Sequence, residues 1–167
     1  IFDEFEARHM RIPVIAQVTM ETTGTMLLGS DMQAAMTTLA PYPIDVMGLN
    51  CATGPKAMGA HIRTLAGMWP RPISVMPNAG MPRNENGEMV YDLTPAELES
   101  ALHHYVVDLG VNVVGGCCGT SPEHMAAVVK SVGHLAPEAR SVEWESGATS
   151  LYSVAAYDVD PKPLLIG

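Results

Sequence analysis

Basic residues are scarce in this chain. Its 167 residues include 9 Lys and Arg against 18 Asp and Glu, a formal net charge of −9. That balance argues against a nucleic-acid groove or an anionic membrane surface as partner, because both recruit basic patches. Charge of either sign is thin, at 16% of residues, while 47% are hydrophobic; an average globular domain carries about 25% charged residues. Such a chain has the apolar material for a buried core and does not read as disordered. No run reaches the roughly 18 consecutive apolar residues of a membrane span, and no signal peptide is evident. Cysteine is limited to Cys51, Cys117 and Cys118. An odd count with two adjacent thiols does not suit a disulfide scaffold, so a cytoplasmic chain with metal-binding or reactive thiols is expected. No Cys-x-x-Cys redox pair is present. No G-x-G-x-x-G fingerprint follows an apolar run, which argues against dinucleotide binding.

What is present alternates regularly. Four short, nearly continuous apolar runs, Val14–Met20, Ile44–Asn50, Ile73–Met76 and Val111–Val114, have the character of strands covered on both faces in a parallel sheet. Between them lie helix-period stretches at Asp31–Ala40, Gly54–Gly67, Leu98–Leu109 and Glu123–Leu135, after a first helix near Ile1–Met10. Thr94-Pro95-Ala96-Glu97 is a capping box with proline at the first helical position, and Gly110 stands at that helix's far end. Ser121-Pro122 opens the last helix, with Glu123 placed for the helix dipole. Units of about 30 residues, strand then helix, predict an α/β fold with a parallel sheet. Two architectures fit the length: a flavodoxin-like open sheet, or half of an eight-unit barrel whose whole needs about 250 residues. The 12 methionines read as adaptable core filler. The chain opens inside a helical pattern and closes on the apolar run Leu164-Leu165-Ile166, as a piece of a longer polypeptide would. From Pro137 onward Ser, Gly and Glu accumulate, the composition of a linker.

Each cysteine follows a predicted strand directly, Cys51 after Leu49-Asn50 and Cys117-Cys118 after Val113-Val114-Gly115-Gly116. In parallel α/β folds the carboxyl ends of strands carry the chemistry, since the loops there converge on one opening. Three thiols on one rim can share a metal. Successive strand residues point to opposite faces, so Cys117 and Cys118 reach one ion only if the backbone leaves β geometry, and Gly115, Gly116 and Gly119 supply that freedom. Thiolates suit Zn²⁺, and three protein ligands leave a fourth position open, the mark of a catalytic rather than a structural site. Other readings stand beside this one: buried thiols that merely pack, a sterically awkward Cys117–Cys118 disulfide, or a structural zinc site. His124 is the one nearby candidate for a fourth structural ligand, and its place in the helix opened by Ser121 points instead to a surface or capping role. His103 and His104 diverge by about 100° mid-helix; His9, His61 and His134 carry no evident function.

Two strings go further. Gly48-Leu49-Asn50-Cys51-Ala52-Thr53-Gly54-Pro55 and Val114-Gly115-Gly116-Cys117-Cys118-Gly119-Thr120-Ser121-Pro122-Glu123-His124 resemble the zinc-ligand motifs of the homocysteine S-methyltransferase family, and Pro77-Asn78-Ala79-Gly80 resembles a third family element in order and spacing. This domain occurs in cobalamin-dependent methionine synthase and in the betaine- and S-methylmethionine-dependent homocysteine methyltransferases.

The resemblance covers residues 1–136 and implies the second half, strands five to eight, of a (β/α)₈ TIM barrel. Residues 137–167 are expected to be a linker, within which Ala148–Gly167, ending Asp160-Pro161-Lys162-Pro163-Leu164-Leu165-Ile166-Gly167, resembles the bridge from the methionine synthase domain toward the start of a folate (pterin)-binding domain. The resemblance implies a zinc-dependent methyltransferase in which Cys51, Cys117 and Cys118 are metal ligands rather than nucleophiles. It further implies homocysteine as the substrate whose thiol zinc activates, and a methyl group arriving on cobalamin bound by other modules of the same polypeptide and recharged by methyltetrahydrofolate. Asn50, Asn78 and Glu21, at strand ends on one rim, are the candidate substrate-binding residues; ordinary loop hydrogen bonding is the alternative for each. A betaine or S-methylmethionine donor, and a non-catalytic zinc clip, remain the competing functions. The first four strands of such a barrel are absent from these residues, so this piece alone is expected to be inactive.

Overall fold

The four apolar runs become neighbouring strands because each must bury two faces at once. The computed structural model describes residues 1–51 and 53–158. In chain order the elements are α1 (Phe2–Ala7), β1 (Ile15–Val18), α2 (Met32–Leu39), β2 (Val46–Cys51), α3 (Pro55–Met68) and β3 (Ile73–Pro77). There follow β4 (Arg83–Glu85), β5 (Glu88–Val90), α4 (Pro95–Leu109), β6 (Val113–Val114), α5 (Pro122–Val132), β7 (Gly147–Thr149) and β8 (Val154–Ala156). The predicted strands are all present, β1 and β6 shorter than expected and β2 and β3 each running one residue further, to Cys51 and Pro77; the last helix stops at Val132 rather than Leu135 because the chain tightens into a turn after Gly133.

The main sheet is parallel, in the order β1-β2-β3-β6. Strand order follows chain order with no reversal, which does not match the flavodoxin-like alternative, whose order turns back on itself at a switch point. Consecutive helices also pack on one another, α2 on α3, α3 on α4 and α4 on α5, as they do when every crossover lies on one face of the sheet.

That face is the core. Met47 and Leu49 of β2 and Ile73 and Val75 of β3 are fully buried against Ile62 and Leu65 of α3 and Leu98 and Leu102 of α4. Met20, Met32, Met36, Met47 and Met58 lie in this core, where an unbranched side chain fills irregular gaps. The alternate residues point to the opposite face. There Gly48 lets β3 approach so closely that a Cβ would fall 1.9 Å from Ser74 Oγ. Gln17 Nε2 donates to the same Ser74 Oγ at 3.2 Å.

The helix ends follow their sequence signals. Asp31 caps α2 through Ala34 N–H at 2.7 Å. Thr94 and Glu97 form the predicted capping box of α4. Gly110 takes the left-handed conformation, φ +64°, at its C-terminus, where a Cβ would sit 2.4 Å from Glu138 O.

Two hairpins have no counterpart in the predicted pattern. The first pairs β4 with β5 antiparallel around Asn86-Gly87, both at positive φ, the backbone of a tight two-residue turn. The second pairs β7 with β8 within the stretch expected as linker. As far as residue 158 that stretch is docked. Arg140 donates to the carbonyls of Ala66, Trp69, Arg71 and Gly110 at 2.6–3.3 Å, and Trp144 meets Trp69 edge-on with centroids 5.7 Å apart. The string Asp160–Gly167 lies outside the described residues. Among the described residues no helix is long and apolar enough to cross a membrane.

Candidate metal centre

The site grows from the carboxyl ends of β2, β3 and β6. Cys51 is the last residue of β2, in register with Pro77, the last of β3. Its backbone leaves the strand through φ +60°, a left-handed conformation that non-glycine residues adopt at a cost of about 1–3 kcal/mol when the surroundings enforce it. Beyond β6 the chain turns through Gly115 and Gly116, and Cys117 N–H donates to Pro77 O at 2.8 Å. Pro77 is thus the common reference for both thiol-bearing segments.

Asn78 holds the next link. Its side chain is buried, and its Oδ1 accepts the Cys118 N–H at 3.1 Å. Ala79 N–H returns to Cys118 O at 2.9 Å, and Asn78 N–H reaches Thr53 O at 3.2 Å. Thr120 closes the turn, its Oγ1 donating to Cys117 O at 2.7 Å. Gly54 and Gly80 bring two loops backbone to backbone, with a Cβ at residue 54 only 3.0 Å from the Gly80 Cα.

The outcome is a cluster of three sulfurs. Cys51 Sγ lies 3.7 Å from Cys118 Sγ, and Cys117 Sγ lies 3.9 Å from it; all three fall within 4.8 Å of one another. None is in a disulfide, the vicinal pair included. Metal–sulfur bonds of about 2.3 Å in a tetrahedron place sulfurs about 3.8 Å apart, so the donor set fits such an ion. The Cys118 thiol is pushed up to about 11 by hydrogen bonds with Cys51 and Cys117 and by their charge. Three thiolates oppose one another's ionisation; a cation among them reverses that.

Of the other predicted residues, Asn50 stands at the end of β2 and accepts from Thr19 Oγ1 at 3.1 Å. Glu21 lies half-buried in the loop after β1, where its N–H donates to Thr25 O at 2.8 Å and its carbonyl accepts from Gly24. His124 is a capping histidine, as expected, though buried rather than on the surface. Its Nδ1 accepts from Ser121 N–H at 3.1 Å, and its Nε2 donates to Leu93 O at 2.8 Å. Both ring nitrogens are therefore engaged away from the sulfurs.

One neighbour of the cluster escapes the sequence reading. Tyr91 follows the β4–β5 hairpin and lays its ring against Gly119, the residue after Cys118; burial first, then the sulfurs' charge, raises its phenol above the ordinary tyrosine value. The Asn86-Gly87 dipeptide between short flanking runs is the signal that marks this hairpin.

A family model described as homocysteine S-methyltransferase matches residues 1–132. The chain is 46% identical over 156 residues to methionine synthase of Mycobacterium tuberculosis. It is 44% identical over 161 residues to methionine synthase of Mycobacterium leprae. Each alignment takes in 93% of this chain and 13% of the relative's length, so the chain spans about an eighth of those proteins. Among solved structures, the metallated form of the homocysteine methyltransferase MmuM from Escherichia coli superposes with a TM-score of 0.57 at 24% identity, over 75% of this chain and 38% of that one. Its apo form gives 0.57 at 22% identity, over 77% and 42%. At those identities the likeness is one of fold.

Proposed function

The chain belongs to the homocysteine S-methyltransferase family, and from that premise we propose that it is the zinc-holding part of a methionine synthase. In this reading Cys51, Cys117 and Cys118 are the three protein ligands, and homocysteine is the substrate. The observation that carries it is the sulfur cluster, with separations of 3.7 and 3.9 Å matching a tetrahedral edge.

The chemical difficulty is that a free thiol, with its pKa near 8.5, is only a few per cent thiolate at pH 7. Zinc bound by the three cysteines supplies Lewis acidity that makes a fourth, incoming thiol a thiolate at neutral pH. The chain's own residues prepare that fourth position. Pro77 O and Asn78 Oδ1 fix the Cys117 and Cys118 amides, and the left-handed turn at Cys51 aims its thiol at theirs. Asn50, Asn78 and Glu21 line the same end of the sheet and are assigned to the substrate's amino-acid group.

Sequential strand order with consecutively packed helices supports the second half of a (β/α)₈ barrel over residues 1–136. Residues 137–167 then lead toward a folate (pterin)-binding domain. The methyl group arrives from methylcobalamin and 5-methyltetrahydrofolate on other domains of the same cytoplasmic polypeptide. The mycobacterial relatives, named methionine synthase, favour this donor over betaine or S-methylmethionine.

X-ray absorption on the zinc-loaded full-length protein tests the reading. Added homocysteine is expected to convert a three-sulfur shell with one nitrogen or oxygen into a four-sulfur shell. An unchanged shell identifies a structural clip instead, and absence of zinc removes the metal site altogether.

A further inference from the structure

Cys51 holds a left-handed backbone at φ +60°, a conformation that a residue with a side chain keeps only when its surroundings over-determine it. The clamp after that turn is made of backbone. Thr53 N–H donates to Cys51 O at 2.7 Å, and Asn78 N–H donates to Thr53 O at 3.2 Å. The clamp before it is a pair of side chains. The ladder between β1 and β2 ends at Val18 and Leu49, while β2 runs on through Asn50 and Cys51 against Met76 and Pro77 of β3. Where the ladder to β1 stops, Thr19 Oγ1 donates to Asn50 Oδ1 at 3.1 Å.

That bond lies on the face of the sheet away from the helices. Val18 and Leu49 point into the core, so the next residues along, Thr19 and Asn50, take the opposite side. Both are half-buried. Lower on the same face, Gln17 Nε2 donates to Ser74 Oγ at 3.2 Å across Gly48. The two polar ties differ in what they hold. Gln17 and Ser74 sit within strands that backbone pairing already fixes, whereas the Thr19 bond continues the hold of β1 on β2 past the end of the ladder, directly before the thiol-bearing turn.

We propose that Thr19 is a positioning residue of the metal centre: by holding Asn50 it fixes the end of β2, so that the Cys51 turn delivers its thiol to Cys118. The 3.7 Å between those sulfurs is then set from two directions, by Thr19 through Asn50 and by Asn78 through the Cys118 amide. This inference rests on reading the three thiols as a metal site. Groups that hold a ligand from outside the metal's own shell change affinity about 10–100-fold when removed.

Cobalt(II) is the probe, titrated alone into metal-free full-length protein. The wild-type protein is expected to take up one Co²⁺ per chain and to show thiolate-to-cobalt charge-transfer absorption. Thr19→Val keeps the shape of the side chain and removes the hydroxyl. It is expected to bind Co²⁺ about 10-fold or more weakly, with absorption per cobalt falling from the level of three thiolates toward that of two. Asn50→Ala breaks the same bond from the other strand and is expected to show the same loss. Thr19→Ser restores the donor and is expected to bind as the wild type does. Gln17→Leu breaks the lower tie and is expected to leave affinity and spectrum unchanged. Wild-type affinity and spectrum in Thr19→Val or Asn50→Ala overturn the role of Thr19 while leaving the metal site standing. An equal loss in Gln17→Leu also overturns it, since the effect is then a general loosening of the sheet. Failure of the wild-type protein to bind Co²⁺ overturns the metal site and this inference with it.

Discussion

Cys51 and Cys118 belong to strand ends that are not neighbours in the sheet, yet their sulfurs are 3.7 Å apart. β3 lies between β2 and β6, and strands spaced about 4.8 Å apart put the flanking two about 9.5 Å apart. Two local events close that distance. The chain beyond β6 comes back over the end of β3, where Cys117 N–H bonds Pro77 O, and Cys51 turns its backbone through the left-handed region.

That closure makes each thiol necessary. Cys117→Ala and Cys118→Ala are each expected to lose stoichiometric zinc and, in the full-length protein, homocysteine methylation. Zinc content by elemental analysis beside a methylation assay checks this, and full zinc retained by both variants would contradict the ligand assignment.

Asn78 is expected to act through the Cys118 backbone. Asn78→Leu leaves the Cys118 N–H without its acceptor and costs about 1–3 kcal/mol of stability, together with zinc affinity lowered roughly 10-fold or more. Asn78→Asp keeps an acceptor and is expected to recover most of the stability. Urea unfolding and competition with a chelator separate the two effects.

Arg140 fastens the segment after α5 to the rest of the molecule. Its guanidinium reaches four carbonyls near the ends of α3 and α4, and burial lowers its pKa. Arg140→Ala is expected to cost about 2 kcal/mol or more, since hydrogen bonds to a charged donor contribute more than neutral ones. Thermal unfolding measures this, and a wild-type midpoint would show that the segment is not coupled to α3 and α4.

His61 makes stability pH-dependent. Burial pushes its imidazole below the usual histidine range, so the unfolded chain takes up a proton at higher pH than the folded one. The stability it contributes is complete above the unfolded value of about 6.5 and is lost as pH falls through the lower folded value. Urea midpoints are expected to drop between pH 7.5 and pH 5.5, with a smaller drop in His61→Gln. An NMR titration that places the His61 midpoint above 6.5 would reverse the sign.

Much of this was legible along the chain. Thr94-Pro95-Ala96-Glu97 and Gly110 marked both ends of α4, because caps are satisfied by residues within one turn. The apolar runs marked the four parallel strands, because burial on both faces removes the polar alternation. The hairpin at Asn86-Gly87 carried its own turn signal but sat among exposed polar residues with no hydrophobic period. Within residues 137–158 the composition of a linker concealed Arg140 and Trp144, whose partners lie tens of residues away.

The sequence by itself determined the order of strands and helices and the placing of three thiols just past strand ends, since both follow from short-range periodicity and local turn chemistry. Only the tertiary structure decided that the Cys117 segment closes over the end of β3, that Cys51 turns toward Cys118, and that Tyr91 is set over Gly119. Those relationships join residues far apart in the chain, and no local pattern specifies which distant backbone a side chain will meet.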